Sequence, residues 1–578
     1  MKRLFEAFLI VLSSLSVAWL FFLPRFWDLA PKSRTVQEGF FEIFLSSNQH
    51  KLLGGGIDQI GTVWMFGMVD EMLKGDRNTF VSQLYHPIGF DLGQNTGYAW
   101  ADIWVSWPII QWLGIPGFYH LHLLLCLMLT MAVSAALCRT AGAPLLISIA
   151  LSTLSILNPF VIQEFYQGRP TQIYLLFHGL FLISLLKTIY KPNYTWTIIG
   201  GISLAGSVLT YWFGGASTAF AGAIGFLLAL PVSKKWKQSL GHFVLNGTVG
   251  VAIAVAITWP VSSTILKGSG SSIFTAMRSS PQMELDLLAF SIPIQWFETL
   301  TSWEDIKNLF KGLKMNPLWG YLVLVSIVIP VRWKHKLPWM IAFVVAIGFP
   351  LPPGLRWEGG WTFTGHALLQ SVFPPVVRCH VPERMVVAPL LISLIVMAKA
   401  SSALTNVKSP LLRGFFMLSI ALPIAFFSLD SKPQRIDTNT GMFAPNQKLI
   451  QATQKWSGGI IDVPLLKSQH SYVQILYHDA PILGGPGLDS VRPQKHRRYV
   501  QRNSFLRMIE GMAERGTQTT YTKKSLRQLH EDGFGIIAVH QNLSRLSLDT
   551  YRDLCNDEGI WDSRKKILYL PLPDLSEQ

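Results

Sequence analysis

The chain has 578 residues, of which 50% are hydrophobic, only 14% are charged and four are cysteines. Soluble domains carry roughly 25% charged residues, so this composition excludes an ordinary soluble enzyme. Charged residues make up about 11% of residues 1–429 and about 24% of residues 430–578. The composition therefore predicts a membrane-embedded domain, residues 1–429, followed by a water-soluble domain, residues 430–578.

The first 429 residues contain apolar runs that are long enough to cross a bilayer. A helix needs about 20 such residues to span roughly 30 Å of hydrocarbon. We predict about eleven spans, near residues 5–23, 117–137, 144–162, 170–190, 196–213, 215–231, 243–265, 317–331, 338–352, 384–399 and 411–429. The first run is longer than a signal-peptide core and lacks a small-residue cleavage site after it, so an uncleaved anchor is expected.

The basic residues of the short loops predict the orientation. Connections on one side carry 14 lysines and arginines, from Lys2 to Arg413, and before residue 430 only one acid, Glu6, falls there. Cytoplasmic loops are enriched in Lys and Arg. The sequence therefore predicts a cytoplasmic amino terminus, a multi-pass protein of the cytoplasmic (inner) membrane and a periplasmic or extracellular carboxyl-terminal domain. Topology and anionic lipid account for the net charge of +15, so no nucleic-acid partner is expected.

Long loops on the predicted outer side are expected to carry function, because connectors of this length are uncommon otherwise. These loops comprise residues 24–116, 266–316 and 353–383. In the first, apolar residues from Ile60 to Met72 recur at helical spacing, which predicts an amphipathic helix along the outer membrane surface. Asp70, Glu71 and Asp76 are predicted to form the wet face of this helix.

Asp58 lies where the flexible segment 54–56 meets the predicted start of this helix. One interpretation is an N-cap, in which the carboxylate accepts a free amide of the first turn and contributes about 1 kcal/mol. The other is a carboxylate at the mouth of a membrane cavity that accepts a proton. A cap also holds its own side chain in place, so the two interpretations are compatible.

Turn residues follow at Tyr85-His86-Pro87-Ile88-Gly89 and around Asn95. An acid soon after the first span, a Trp-bearing amphipathic helix, a Tyr-x-Pro-x-Gly turn and a later Asn resemble integral-membrane glycosyltransferases of the GT-C fold, of the bacterial type. Two further stretches fit the resemblance, at residues 167–172 (Gln-Gly-Arg-Pro-Thr-Gln) and 378–384 (Arg-Cys-His-Val-Pro-Glu-Arg). The second is similar to the Arg-x-Pro-x-Arg element of some bacterial members, although His380 replaces its first Arg, which leaves open which basic group acts.

The resemblance implies transfer of a sugar from a polyprenyl-phosphate-linked donor to a lipid, glycan or protein acceptor at the outer membrane face. Such a transfer passes through an oxocarbenium-like transition state. It needs positive charge where the phosphate leaves and one base for the acceptor hydroxyl. The resemblance assigns the role of base to Asp58.

Basic residues at the outer ends of predicted spans are the candidates for binding the donor phosphate, and snorkelling to lipid head groups is the alternative for each arginine. These candidates are Arg169, Arg378, His380 and Arg384. Glu164, Asp91 and Asp102 are candidate second-site carboxylates, and Glu164 is alternatively an interfacial partner of Arg169. No metal cluster is evident and no cofactor is required, although the resemblance leaves a divalent cation open.

Residues 430–578 alternate predicted strands with predicted helices, which indicates a small α/β domain. The strands lie near residues 458–465, 535–540 and 566–571, and the helices near 500–515, 523–531 and 545–555. The basic run at residues 492–498 is predicted to be solvated. The predicted fold is thus a mainly α polytopic membrane domain, GT-C-like, with a small α/β domain outside.

Two other functions remain open. A transporter or flippase would place ionisable residues deep within its spans, whereas here the acids collect in the outer loops. A non-catalytic assembly component for a cell-surface glycoconjugate would use the outer domain to recruit partners.

Overall fold

The computed structural model describes most of the chain in separate ranges. These are residues 2–17, 57–76, 80–92, 100–259, 323, 326, 333–350, 354–357, 360–363, 368–369, 382–404, 445–465, 474–475, 477–485, 493–517 and 519–573. The chain divides into two compact units. The first comprises Met1–Phe44, Gly97–Pro108 and Phe118–Ile436, and the second Leu45–Thr96, Ile109–Gly117 and Asp437–Gln578.

Helices dominate the described part of the chain. They are α1 (Lys2–Val17), α2 (Ile57–Lys74), α3 (Ala101–Ala141), α4 (Leu145–Ile156), α5 (Pro159–Tyr166), α6 (Pro170–Ile173), α7 (Leu176–Tyr190), α8 (Tyr194–Thr210), α9 (Trp212–Ala229), α10 (Trp236–Ile257), α11 (Trp333–Ile347), α12 (Val387–Leu404), α13 (Gln447–Lys455), α14 (Gln494–Arg502), α15 (Ser504–Arg515), α16 (Lys523–Glu531) and α17 (Leu548–Cys555). Short 3-10 helices cover Leu230–Val232 and Pro382–Val386.

The strands are β1 (Phe80–Val81), β2 (Phe90–Asp91), β3 (Gly354–Trp357), β4 (Gly360–Phe363), β5 (Gly459–Val463), β6 (Phe534–His540), β7 (Ile560–Asp562) and β8 (Ile567–Pro571). Two antiparallel pairs, β1 with β2 and β3 with β4, stand apart from a four-stranded sheet of order β5-β6-β8-β7.

Five helical segments of the described residues are long and apolar enough to cross a membrane, and a sixth if one bent pair forms a single span. They are Phe118–Ala141, Pro170–Tyr190, Trp212–Val232, Trp236–Ile257 and Arg384–Ser402, and the pair is Leu145–Ile156 with Pro159–Phe165, bent by 54°. The predicted total of about eleven is not confirmed. Most of the predicted span near 317–331, and all of the one near 411–429, lie outside the described residues.

Helix α3 begins at Ala101, within the predicted outer loop of residues 24–116. The early start has a physical reason, because Asp102, Ser106, Ile110 and Leu113 are buried at intervals of three or four residues, as on one face of a helix. At Gly114 the backbone leaves the helical conformation (φ 70°, ψ 170°). This break lets residues on either side of it meet, which matters for the candidate site.

In the second unit, the four-stranded sheet packs one apolar face against helices. Strands β5 and β6 are parallel, and the other neighbours are antiparallel. Side chains on this face of the sheet join those of α15 and α16 in one core, comprising Ile461, Val463, Ile537, Val539, Leu568, Leu570, Phe505, Leu506, Met512, Leu526 and Leu529 among others. The three predicted strands and three predicted helices are confirmed, and all have shifted ends except the helix at Lys523–Glu531. Strand β7 and helix α13 were not predicted, and the basic run continues into α14.

Helix α2 is confirmed, but its predicted wet face is only partly correct. Asp76 is exposed, whereas Asp70 is 6% exposed. The Asp70 carboxylate accepts hydrogen bonds from Lys74 Nζ at 2.7 Å and from Gln111 Nε2. Trp64 and Met68 on the same helix are also buried. The helix is therefore packed within its unit on more than one side, and the prediction that Asp70 faces water was wrong.

Candidate active site

Asp58, the predicted base, lies in the first turn of α2, one residue after its first residue Ile57. A carboxylate in the first turn of a helix is favoured by the helix dipole. The side chain of Asp58 lies outside the described residues, as do Arg378 and His380. Their predicted roles stay predictions.

Asp102, a candidate second-site carboxylate, is fully buried in the first turn of α3. Its Oδ2 accepts a hydrogen bond from Thr171 Oγ1 at 3.1 Å and lies 3.4 Å from Nε2 of His122. Its Oδ1 is buried without a hydrogen-bond partner among the described residues. A buried carboxylate oxygen without a hydrogen bond lowers the stability of the folded protein unless a ligand or water supplies a donor.

His122 connects Asp102 to a further hydroxyl. Its Nδ1 lies 3.2 Å from Ser106 Oγ, and its ring stacks on Phe118 with the centroids 5.0 Å apart. If Nε2 carries the proton, it donates to Asp102 while Nδ1 accepts from Ser106. The break at Gly114 makes this contact possible, because Asp102 and His122 are 20 positions apart on opposite sides of it.

Glu164 and Arg169 form an ion pair in which Glu164 is buried and Arg169 is half-buried. Arg169 Nη1 lies 2.9 Å from Oε2 of Glu164, which is fully buried, and the backbone N–H of Arg169 donates to the carbonyl of Glu164 at 2.9 Å. Thr171 follows Arg169 by two residues and donates to Asp102. Thr171 therefore links Asp102 to the short helix α6, whose N-cap residue is Arg169.

The remaining candidates lie elsewhere in the chain. Arg384 is half-buried in the 3-10 helix that precedes α12, in the first unit. Asp91 is half-buried at the end of β2, in the second unit, where it pairs with Phe80 across the hairpin.

Three residues around Asp102 were not predicted from the sequence, namely its partners His122 and Thr171, and Ser106, which contacts His122. The signal for His122 is its position four residues before Cys126 and four after Phe118, on one face of an apolar helix, where a polar residue needs a partner. Among the described residues, no group of three or more His, Cys, Asp or Glu side chains is placed to hold a metal ion.

The whole chain was compared with known proteins. No protein-family model matches it, and no curated protein sequence is significantly similar. Two solved structures share its fold. The arabinofuranosyltransferase AftD from Mycobacteria superposes with a TM-score of 0.51 at 12% identity, over 94% of this chain and 35% of that one. The apo oligosaccharyltransferase of Archaeoglobus fulgidus gives a TM-score of 0.50 at 11% identity, over 93% of this chain and 70% of that one.

Both of these structures are membrane glycosyltransferases with the GT-C fold. The chain described here therefore has the GT-C fold, as its sequence motifs predict. The five helical segments among its described residues that are long and apolar enough to cross a membrane indicate a membrane protein. It spans about a third of the length of the mycobacterial structure.

Proposed function

We propose that the protein is a membrane glycosyltransferase that transfers a sugar from a polyprenyl-phosphate-linked donor to a lipid, glycan or protein acceptor. The reaction takes place at the outer face of the cytoplasmic membrane, with the amino terminus inside and the carboxyl-terminal domain outside. The observation that carries the proposal is the GT-C fold, which extends over more than nine-tenths of the chain and is shared with two glycosyltransferases. The hydrogen bonds of the buried Asp102 and the Glu164–Arg169 ion pair support it.

The chemistry needs one base and one anion-binding group. Asp58 accepts the proton of the acceptor hydroxyl while the hydroxyl oxygen bonds to the anomeric carbon of the donor sugar. The bond from that carbon to the phosphate oxygen breaks, and polyprenyl phosphate leaves. Arg169, Arg378, His380 and Arg384 are the cations proposed to stabilise the growing negative charge on the phosphate. Glu164 orients the guanidinium of Arg169 through their 2.9 Å contact.

Replacement of the proposed base tests this assignment. Asp58→Asn keeps the size of the side chain but removes its basicity, so we expect transfer to fall by about 100-fold or more. Purified protein in nanodiscs is incubated with a radiolabelled polyprenyl-phosphate sugar and an envelope lipid extract, and labelled product is counted. Asp76→Asn is the matched control, because Asp76 is an exposed acid just beyond the same helix. Full activity of Asp58→Asn would refute the role of Asp58.

One observation favours the transporter alternative. The buried Asp102–His122 pair places an ionisable side chain in Phe118–Ala141, a segment apolar enough to span a membrane. Ionisable residues inside spans often mark ion or proton pathways. The two functions differ in the bond that breaks, since a flippase moves the lipid-linked sugar between leaflets and leaves its anomeric bond intact.

A further inference from the structure

Residues 83–86 of the first predicted outer loop extend the sheet of the carboxyl-terminal domain. Strand β5 is the edge strand of that sheet. Residues 481–483 pair with it, because the N–H of Ile460 donates to the carbonyl of Pro481 at 2.7 Å and that of Leu483 to Ile460 at 2.9 Å.

The loop segment pairs with the outer side of this added strand. The N–H of Ile482 donates to the carbonyl of Gln83 at 2.7 Å, and that of His86 donates to Ile482 at 3.0 Å. The N–H of Tyr85 donates to the carbonyl of Gly484 at 2.8 Å. An exposed sheet edge presents a row of unpaired backbone groups, and residues 481–484 and 83–86 cover this one in two successive layers.

Aromatic side chains anchor the segment. Tyr85 is 2% exposed, and its ring lies 5.4 Å from Phe90 and 5.2 Å from His496, between ring centroids. Its backbone φ of 51° is in the left-handed region, which is unfavourable for a residue other than glycine and persists only where surrounding contacts enforce it. His496 is buried, contrary to the prediction for residues 492–498, whereas Lys495 and Arg498 of the same run are exposed as predicted.

His86 makes a second set of contacts to the domain. Its ring lies 5.1 Å from that of Phe534, and its Nε2 contacts the backbone carbonyl of Asp532. The Asp532 carboxylate in turn accepts a hydrogen bond from Tyr499 Oη at 2.6 Å. Burial, together with this bond, raises the pKa of Tyr499, so the phenol stays protonated and continues to donate.

Gly485 in the carboxyl-terminal domain provides the space for the Tyr85 ring. A Cβ atom added at Gly485 would lie 2.5 Å from the Tyr85 ring, whereas one added at the neighbouring Gly484 would meet nothing within 4 Å. Neither glycine has a positive φ. The requirement for glycine at position 485 therefore comes from the docked ring and not from the backbone.

The docked segment, residues 83–86, follows in sequence the helix that carries the proposed base. Helix α2, which carries Asp58 in its first turn, ends at Lys74, nine residues before Gln83. Helix α2, the β1–β2 hairpin and the sheet all belong to the second compact unit. The carboxyl-terminal end of the segment that bears Asp58 is thus tethered to the sheet edge.

We propose that the α/β domain is a positioning module for the first outer loop, and that Tyr85 and His86 are positioning residues for transfer. The edge pairing fixes the loop so that helix α2 presents Asp58 at the reacting hydroxyl. This role rests on the proposed glycosyltransferase function. It assigns the domain a task that involves no contact with the substrate.

The test compares Gly485→Ala with Gly484→Ala in full-length protein. We expect Gly485→Ala to undock the loop, so that hydrogen exchange at the amides of Tyr85, His86 and Ile482 rises at least about tenfold while exchange in β6 is unchanged. We expect kcat for transfer to fall about 10- to 100-fold, with KM for the donor changed less than about threefold, since displacement of a catalytic group by about 1 Å costs up to this much. Gly484→Ala should match the wild type in both measurements.

A second variant shows whether the clash itself is responsible. Tyr85→Ala removes the ring that Gly485→Ala would meet, so adding Gly485→Ala to it should cause no further change in exchange or kcat. Faster exchange with an unchanged kcat would overturn the positioning role while leaving the proposed function intact. Exchange that is unchanged in Gly485→Ala would overturn the docking itself. A wild type that docks its loop normally but transfers no sugar would overturn the proposed function, and the positioning role with it.

Discussion

Asp102 shows how a site residue can be predicted while its surroundings cannot. Its place at the end of a long outer loop and the chemistry of sugar transfer suggested a carboxylate role. Its partners, His122 and Thr171, are 20 and 69 positions away. His122 contacts Asp102 because α3 breaks at Gly114, and Thr171 contacts it because a turn brings Thr171 to the carboxylate. No local sequence pattern predicts either feature. The pairing of Glu164 with Arg169, five positions apart, was foreseen as an alternative because such spacing is local.

The hydroxyl of Thr171 is predicted to hold the Asp102 carboxylate. Thr171→Val removes the hydroxyl donor but keeps the shape of the side chain. The Oδ2 atom of Asp102 then loses one of its two partners and keeps only His122. We expect the free energy of unfolding to fall by about 1–3 kcal/mol, seen as a lower melting temperature in detergent. Thr171→Ser, which keeps the hydroxyl, should be close to wild type. Thr195→Val, at an exposed threonine of α8, is the control. Equal melting temperatures for Thr171→Val and Thr195→Val would contradict this role.

The helices were largely predictable as elements, because a run of apolar residues is a direct signal of a span. The sequence predicts a span near 196–213, and the structure has α8 at Tyr194–Thr210. The start of α3 at Ala101 was not predicted, and Pro108 is accommodated inside this helix. Strand β7 was missed because three residues, Ile560–Asp562, are too few to show alternation.

Close approach of helices in the membrane domain depends on particular glycines. Gly200 on α8 faces Ser184 on α7 and Asn246 on α10, and Asn246 Nδ2 donates to Ser184 Oγ at 3.2 Å. A Cβ atom added at Gly200 would lie 1.9 Å from Asn246 Nδ2 and 2.2 Å from Ser184 Oγ. Small residues at helix contacts are typical of membrane bundles, because they allow backbones to approach.

Gly200→Ala is therefore expected to destabilise the bundle. Overpacking costs about 1–3 kcal/mol, which exceeds the gain in helix propensity of about 1 kcal/mol when alanine replaces glycine. Gly247→Ala on α10 is the matched control, because a Cβ there meets nothing within 4 Å, and it should be neutral or stabilising. Thermal unfolding of both variants in the same detergent provides the comparison. A melting temperature for Gly200→Ala equal to or above that of Gly247→Ala would show that the helices do not depend on this contact.

At the scale of the whole molecule, composition predicted a membrane part and a water-soluble part, and the alternation of strands and helices predicted an α/β fold for the second part. The GT-C fold agrees with the short motifs. The boundary at residues 429 and 430 stays a prediction. The grouping of Leu45–Thr96 with Asp437–Gln578 in one compact unit was beyond the sequence analysis. It depends on backbone hydrogen bonds between segments about 400 residues apart, and backbone pairing at a sheet edge leaves little trace in side-chain pattern.

The fate of the donor's anomeric bond tests the central claim most directly. Purified wild-type protein is reconstituted in liposomes that contain a polyprenyl-phosphate sugar and an acceptor lipid extract, and the lipids are followed by mass spectrometry. The account predicts that free polyprenyl phosphate and a glycosylated acceptor accumulate in equal amounts, and that neither forms with Asp58→Asn. Redistribution of an intact donor between leaflets, without any free polyprenyl phosphate, would contradict it and identify a lipid transporter instead.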